Sequence, residues 1–165
     1  MDKIPKPKLI ASNLPYNISI KLITNWLINI EDYLGLYLMI QKEVAERFIY
    51  KETEKSNRLN LLTYLMSSYK KEFDISPNVF YPKPNVFSSF VSFKPNVKER
   101  INIIKFQEFT KKLFFSKRKK IMNNLIKDKF YKEILKNLSN SDVNLSKRPE
   151  ELKFNEVIKL FKQLT

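Results

Sequence analysis

Residues 8–16, which read KLIASNLPY, decide the fold of this protein. A short apolar run from Lys8 to Ser12 ends at the turn Asn13-Leu14-Pro15-Tyr16, a pattern typical of a buried strand that enters a loop. From Ser19 onward, apolar residues recur at spacings of three and four, which predicts an amphipathic helix with Ser19 as its N-cap. A second apolar run at 36–40 predicts another buried strand. This strand, helix, strand order predicts a βαβ unit and a parallel sheet in an α/β fold.

The rest of the sequence predicts further strands and then helices. Helices are expected over 42–51 and 58–67, and strands over 69–75 and 87–93. Gly35 is expected to stop the first helix. Everything after residue 95 has a helical and basic pattern, so we predict one domain over 1–95 and a small all-α domain over 96–165.

The composition excludes several classes of chemistry. The 165 residues contain one glycine, no histidine and no cysteine. The glycine-rich loops that hold nucleotide phosphates need several glycines at fixed spacing, so none can be built from this sequence. Histidine-dependent nucleophiles, disulfides and ordinary zinc sites are excluded too, and we predict no metal site. Carboxylates, amides, lysines, aromatic rings and the backbone remain for chemistry.

The charge is strongly positive and unevenly spread. Lys and Arg number 31 against 17 Asp and Glu, a net charge of +14. Residues 1–95 carry 13 basic and 9 acidic side chains, whereas residues 96–165 carry 18 and 8. A lysine-rich coding bias would spread such charge evenly, so the asymmetry favours a polyanionic partner. There is no apolar run long enough for a membrane span, no secretory signal and no cysteine, from which we predict a cytoplasmic protein.

The turn at Asn13 is the best candidate for a chemical site. It follows a strand of the predicted parallel sheet, and open α/β sheets bind ligands at the carboxyl ends of their strands. An asparagine oxygen and a rigid backbone carbonyl beside a proline can both accept hydrogen bonds from one amino group, which directs its lone pair at an electrophile. Tyr16 offers a face for a flipped base, and Phe80 lies on a proline-stiffened loop. Both rings are equally compatible with core packing.

A second candidate site, for RNA binding, lies in the basic part of the chain, residues 96–165. The apolar spacing predicts one long helix over 105–129, with basic residues clustered near its middle. Six basic residues within ten positions exceed what a solvated helix face needs, so we predict contacts with RNA phosphates. These residues are Lys111, Lys112, Lys117, Arg118, Lys119 and Lys120.

Four blocks of this sequence resemble the bacterial small-subunit ribosomal RNA adenine dimethyltransferases in order and spacing. The blocks are 13–19 (NLPYNIS), 41–47 (QKEVAER), 80–88 (FYPKPNVFS) and 115–125 (FSKRKKIMNNL), with 147–150 (KRPE) near the end. The resemblance implies a Rossmann-like methyltransferase sheet, of which residues 1–95 would form strands 4 to 7, and an rRNA-binding domain over 96–165. It also implies S-adenosylmethionine as methyl donor and the small ribosomal subunit as partner.

The resemblance implies roles for the candidate residues. Asn13 and the backbone at Leu14 and Pro15 would hold the adenine amino group, and Asn13 would also lie beside the methyl donor. Tyr16 and Phe80 would stack on the two faces of the base. The sequence departs from the family at Phe87, where aspartate is usual.

The family's glycine-rich donor loop has no counterpart in these 165 residues. We therefore expect the C-terminal portion of such an enzyme, inactive alone, with β-strands exposed unless a separate N-terminal half covers them. Two alternatives stay open: an RNA-binding remnant that docks on the ribosome without catalysis, and an Erm-type methyltransferase acting on large-subunit rRNA.

Overall fold

The computed structural model describes residues 6–116, 118–136 with the backbone of 137, and 143–165. Within these residues, strands and helices alternate over the first part of the chain and helices alone follow. The strands are β1 (Lys8–Asn13), β2 (Tyr33–Gln41), β3 (Ser67–Ile75) and β4 (Ser88–Pro95). The helices are α1 (Ser19–Ile28), α2 (Lys42–Glu46), α3 (Arg58–Met66), α4 (Ile103–Leu113), α5 (Ile121–Leu125), α6 (Lys129–Asn137) and α7 (Phe154–Leu164).

The chain divides into two compact units. A sheet unit comprises residues 1–49 and 62–100, and a helical unit comprises residues 50–61 and 101–165. The division falls inside α3. The functional assignment of 1–95 as a partial methyltransferase domain and of 96–165 as an rRNA-binding domain stays a prediction.

The sheet is mixed, with strand order β1-β2-β4-β3. β1 and β2 are parallel, which confirms the predicted βαβ unit, and β4 runs antiparallel to both β2 and β3. The register pairs Asn13 with Met39 and Gln41 with Ser88. The carboxyl ends of β1 and β2 therefore share one sheet edge with the start of β4, and this arrangement positions the candidate site.

Burial in the sheet unit follows the apolar runs of the sequence. Leu36, Leu38 and Ile40 of β2 have no exposed surface, as expected for a central strand with both neighbours in place. Ile23 and Leu27, four residues apart on α1, are equally buried. β1 lies at the edge of the described sheet, as expected, and its Leu9 side chain is 58% exposed.

Two local predictions in this unit are wrong. Ser19 is the first residue of α1 and not its N-cap; its hydroxyl donates a hydrogen bond of 3.1 Å to the Tyr16 carbonyl. Gly35 lies inside β2 and does not end a helix. A Cβ there would lie 3.2 Å from Cε2 of Tyr37 and 3.4 Å from the Phe93 carbonyl oxygen, so glycine fits a close approach between neighbouring strands.

The helical unit corrects the prediction of one long basic helix. α4 ends at Leu113, α5 begins at Ile121, and the chain turns between them. The N–H of Ile121 donates to the Lys147 carbonyl at 2.9 Å, a bond that a continuous helix would not allow. Arg118, Lys119 and Lys120 therefore lie on a turn. No helix in the described ranges is long and apolar enough to cross a membrane.

Candidate functional site

The turn after β1 leaves only some of its hydrogen-bonding groups available. The Leu14 N–H donates to the Met39 carbonyl at 3.1 Å, which extends the pairing of β1 with β2. The Pro15 carbonyl accepts from the N–H groups of Ile18 and Ser19, at 3.3 and 3.1 Å, and so organises the start of α1. In the described part of the chain, no donor contacts the Leu14 carbonyl. Of the two backbone carbonyls considered, Leu14 is the available acceptor and Pro15 is not.

The Asn13 side chain is the second available acceptor. The residue ends β1 and is exposed, and its amide has no hydrogen-bond partner among the described residues. An exposed amide with no internal partner contributes little to folding. Asn13 is therefore free to bind a ligand at the carboxyl edge of the sheet.

Tyr16 is held in place by its hydroxyl. This group lies 3.0 Å from the Ser88 hydroxyl, with which it shares a hydrogen bond. Ser88 is only 1% exposed and opens β4, whereas Tyr16 is half-buried. The hydrogen bond thus fixes one edge of the ring while part of its face stays accessible.

The structure brings all five predicted catalytic residues to one pocket. Asn13, Leu14, Pro15, Tyr16 and Phe80 line a cavity of about 370 Å³ in the sheet unit. Phe80 reaches it because its N–H closes a 3-10 turn onto the Pro77 carbonyl at 3.2 Å, just before the chain enters β4. A cavity of this size lies within the range of small-ligand sites. The roles assigned to these residues stay predictions.

Sequence reasoning missed part of this pocket. Tyr81, whose side chain is fully exposed, lines it together with Pro82 and Pro84. The signal was present, since the FYPKP stretch places two aromatic residues before the prolines. Ser88 was also missed as a partner of Tyr16, because only the strand register brings the two together.

A charged network lies along the same sheet edge, beyond the pocket. Lys42 lies 2.7 Å from the Asp74 carboxylate, which also accepts a hydrogen bond of 2.6 Å from the Ser89 hydroxyl. Lys42 and Ser89 together lower the pKa of Asp74 from its ordinary value to about 2. Lys71 pairs with Glu46 at 2.6 Å. These pairs fix both ends of α2 to β3, since Lys42 is its first residue and Glu46 its last.

The predicted RNA-binding residues that the structure describes lie in two different places, the last turn of α4 and the turn before α5. Lys111 and Lys112 lie in the last turn of α4, and Lys112 is paired with Asp128 at 2.9 Å. Arg118, Lys119 and Lys120 lie exposed on the turn before α5, with no ion pair among the described residues. Lys117 lies outside the described residues. We refer below to Arg118, Lys119 and Lys120 as the basic turn.

A buried asparagine builds the basic turn, and sequence reasoning missed it. Asn124 is 2% exposed, and its Nδ2 donates to the carbonyls of Leu113 and Ser116, both at 2.9 Å. These carbonyls end α4 and begin the turn, so the amide replaces the donors that a continuing helix would supply. The neighbouring Asn123, in the same block of the sequence, is exposed.

The mixed sheet and its edge pocket define an α/β protein of the Rossmann-like methyltransferase class. The whole chain, residues 1–165, matches the family Ribosomal RNA adenine dimethylase. The protein belongs to this family.

Curated relatives support the same assignment. Ribosomal RNA small subunit methyltransferase A of Wolbachia pipientis subsp. Culex pipiens (strain wPip) is 38% identical over 149 residues, which are 88% of this chain and 56% of the relative. The protein of that name from Malacoplasma penetrans (strain HF-2) is 38% identical over 154 residues, 92% of this chain and 56% of the relative. The chain thus spans about half the length of the curated relatives it matches.

Two solved structures share the fold. A dimethyladenosine transferase from Plasmodium falciparum superimposes with a TM-score of 0.70 at 24% identity, over 96% of this chain and 66% of that one. The 23S rRNA methyltransferase ErmE gives a TM-score of 0.66 at 16% identity, over 99% and 68%. The fold class predicted from the sequence is confirmed.

Proposed function

We propose that this chain forms the adenine-binding side and the RNA-binding part of a small-subunit rRNA adenine N6,N6-dimethyltransferase. One observation carries the proposal: two unoccupied acceptors, the Asn13 amide and the Leu14 carbonyl, belong to a pocket lined by Tyr16 and Phe80. The names of the relatives and the family description support the substrate class.

The pocket residues account for recognition of a flipped adenine. Asn13 Oδ1 and the Leu14 carbonyl oxygen each accept one hydrogen bond from the exocyclic amino group. Two such acceptors pull the nitrogen lone pair out of conjugation with the ring and orient it for attack. Tyr16 and Phe80 stack against the base, which offsets the cost of removing it from its own stack.

Methyl transfer itself needs alignment more than acid–base catalysis. S-adenosylmethionine supplies the methyl group when bound. In a complete site the Asn13 amide and the Leu14 carbonyl would hold the amino group in line with the donor, and the amino group would lose its proton to water once the nitrogen carries the methyl group. The absence of histidine from this chain is compatible with such a reaction.

The residues present fit only one edge of a methyl-donor site. Asn13 has a free amide at the carboxyl end of β1, where a donor would approach. With one glycine in 165 residues, however, the chain cannot build a glycine-rich donor loop. We therefore expect no methyl transfer by the 165 residues on their own.

RNA binding is proposed for the helical unit. Lys111 and the basic turn present exposed cations with no ion pair in the described part of the chain. Such cations bind phosphates by releasing counterions. Small-subunit rRNA is the proposed partner.

Complementation tests this function. The chain is mixed with the donor-binding part of the Wolbachia relative, small-subunit particles and S-adenosylmethionine, and dimethyladenosine is measured by mass spectrometry. We expect product that is lost with Asn13→Ala and absent without the added part. RNA binding with no product in the complemented mixture would instead support a non-catalytic docking protein.

A further inference from the structure

A cavity in the helical unit is separate from the adenine pocket and has no assigned role. It has a volume of about 600 Å³ and lies between α4, the start of α6 and the end of α7. Three lysines, two carboxylates and two aromatic rings contribute to its lining. These are Lys105, Lys111, Lys112, Glu108, Asp128, Phe130 and Tyr131, together with Thr165.

Not all of the lysines are available to a ligand. Lys112 is engaged with Asp128 at 2.9 Å. Lys105 and Lys111 are exposed, and the described residues provide no ion pair for either of them. Two free ammonium groups therefore face the cavity from one helix.

The two aromatic residues that line the cavity, Phe130 and Tyr131, are held in place by a hydrogen bond and by ring packing. Asp128 accepts a hydrogen bond of 3.1 Å from the Phe130 N–H, so the carboxylate that Lys112 fixes also sets the first turn of α6. The Phe130 ring packs edge-on against Tyr131, with centroids 5.2 Å apart. Phe130 is nevertheless 58% exposed, whereas Tyr131 is only 7% exposed. One face of an anchored phenylalanine ring is left open beside the free lysines.

Glu108 limits what the cavity can accept. It lies between Lys105 and Lys111 on α4 and has no ion pair in the part of the chain described. Its carboxylate offsets one of the two free lysine charges, so these three groups leave a net charge of +1, which matches one phosphodiester. The cavity therefore suits a ligand with one phosphate and one flat ring better than a polyphosphate or the phosphate track of a duplex.

We propose that this cavity binds one unstacked nucleotide of single-stranded RNA, with the base on Phe130 and the phosphate in contact with the ammonium groups of Lys105 and Lys111. The inference rests on the proposed rRNA-binding function and adds a second nucleotide site to it. Stacking on an exposed aromatic ring combined with lysine contacts is the general chemistry of single-strand recognition. The RNA would then contact the protein at a second nucleotide in addition to the reacting adenine.

The test uses the full 165-residue chain and a hexaadenylate RNA that carries one 2-aminopurine, whose fluorescence is quenched by stacking. Each titration is repeated in a Tyr16→Ala/Phe80→Ala background, which removes both proposed stacking rings of the adenine pocket. In this background we expect Phe130→Leu to weaken binding about fivefold and to abolish the remaining quenching, since leucine keeps the apolar volume but has no ring.

The lysines are tested by the salt dependence of the same titration. The double variant Lys105→Ala/Lys111→Ala should weaken binding about tenfold at low salt and reduce the log–log salt slope by about 0.7, because both lysines contact the same phosphate and one phosphate contact contributes roughly 0.7. Lys159→Ala, an exposed lysine of α7 outside the cavity, is the matched control and should bind as the unaltered chain does.

The outcomes distinguish a failure of this proposed nucleotide site from a failure of the proposed function. If Phe130→Leu and the double lysine variant both bind unchanged while Tyr16→Ala/Phe80→Ala alone abolishes quenching, this cavity is not a nucleotide site and the adenine pocket stands. If the unaltered chain binds no RNA, both are overturned. Circular dichroism of Phe130→Leu confirms folding, which its exposed ring should not disturb.

Discussion

The Tyr16 hydroxyl lies 3.0 Å from Ser88 Oγ, and this hydrogen bond joins residues 72 positions apart in the sequence. It ties the turn after β1 to the first residue of β4 across the sheet edge. The ring that we propose as a stacking surface is therefore positioned by the sheet itself, and its geometry can be tested without a bound ligand.

Tyr16→Phe removes the hydroxyl that bonds Ser88 and keeps the ring, so it tests the positioning of the ring without removing the stacking surface. Loss of one partly buried hydrogen bond lowers the free energy of unfolding by about 1 kcal/mol. Ser88→Ala should cost a similar amount, and the double variant should cost clearly less than the two single losses combined, because both remove the same bond. Urea denaturation measures all three. Additive losses would show that the two hydroxyls do not interact in solution.

Asn13→Ala should affect binding and not stability. The exposed amide has no internal partner in the described chain, so the free energy of unfolding should change by less than about 0.5 kcal/mol. Affinity for an RNA with a flipped adenine should fall about fivefold, as expected for one lost hydrogen bond. The control is an RNA with unsubstituted purine at that position, which lacks the amino group and should bind both proteins equally. Equal losses for the two RNAs would contradict the assigned role.

Asp74 should make the sheet unit sensitive to acid. Its folded-state pKa of about 2 lies below the ordinary value of 3.8, so the ionised carboxylate is favoured in the folded state. The stability that it contributes is present above pH 4 and is lost as the pH falls from about 4 through about 2. Denaturation midpoints measured across this range should fall less steeply for Asp74→Asn than for the unaltered chain. Parallel pH profiles would exclude the pairing with Lys42.

Asn124→Ala should destabilise the helical unit. The substitution leaves the carbonyls of Leu113 and Ser116 without their donor and opens a small cavity in a buried site, at a cost of about 2 kcal/mol. Asn123→Ala is the control, because this neighbour is exposed and should change stability by less than about 0.5 kcal/mol. Thermal unfolding followed by circular dichroism compares the two variants directly.

The basic turn should account for much of the salt dependence of RNA binding. If Arg118, Lys119 and Lys120 each contact one phosphate, replacing all three by alanine reduces the log–log slope by about 2. Because the three side chains are exposed, the variant should fold normally. Filter binding to small-subunit RNA at several salt concentrations gives the slope, and a slope unchanged from that of the parent would remove the turn from the RNA-binding surface.

The sequence predicted best the elements whose apolar side chains are buried, namely β2, which is central in the sheet, and α1, whose buried stripe contains Ile23 and Leu27. β1 was predicted as a buried strand from its apolar run, but it lies at the edge of the described sheet and most of its residues are exposed. The long basic helix was mispredicted because Phe114 and Ile121 are seven residues apart, a spacing that also fits one stripe of a continuous helix. What breaks it is tertiary: the hydrogen bonds of Asn124 and the pairing of Ile121 with the Lys147 carbonyl.

The individual residues of the candidate site could be predicted from the sequence, but the sequence did not show that they meet in one pocket. Asn13 and Tyr16 are neighbours in sequence, and the turn chemistry marks them. Their meeting with Phe80 depends on β4 starting at the edge where β1 ends, which follows from the strand order. Gly35 was misassigned because a glycine after a helix and a glycine required by close strand contact look alike in sequence.

The Pro15 carbonyl, which accepts the first N–H groups of α1, carries an evolutionary consequence. These bonds use the backbone, so they do not by themselves select proline, whereas the buried Leu14 side chain and the Tyr16 hydroxyl are needed by the fold. Persistence of Leu14 and Tyr16 in a descendant lineage is therefore no evidence that methylation persists. Asn13, whose side chain the fold does not need, would record whether catalysis is still under selection.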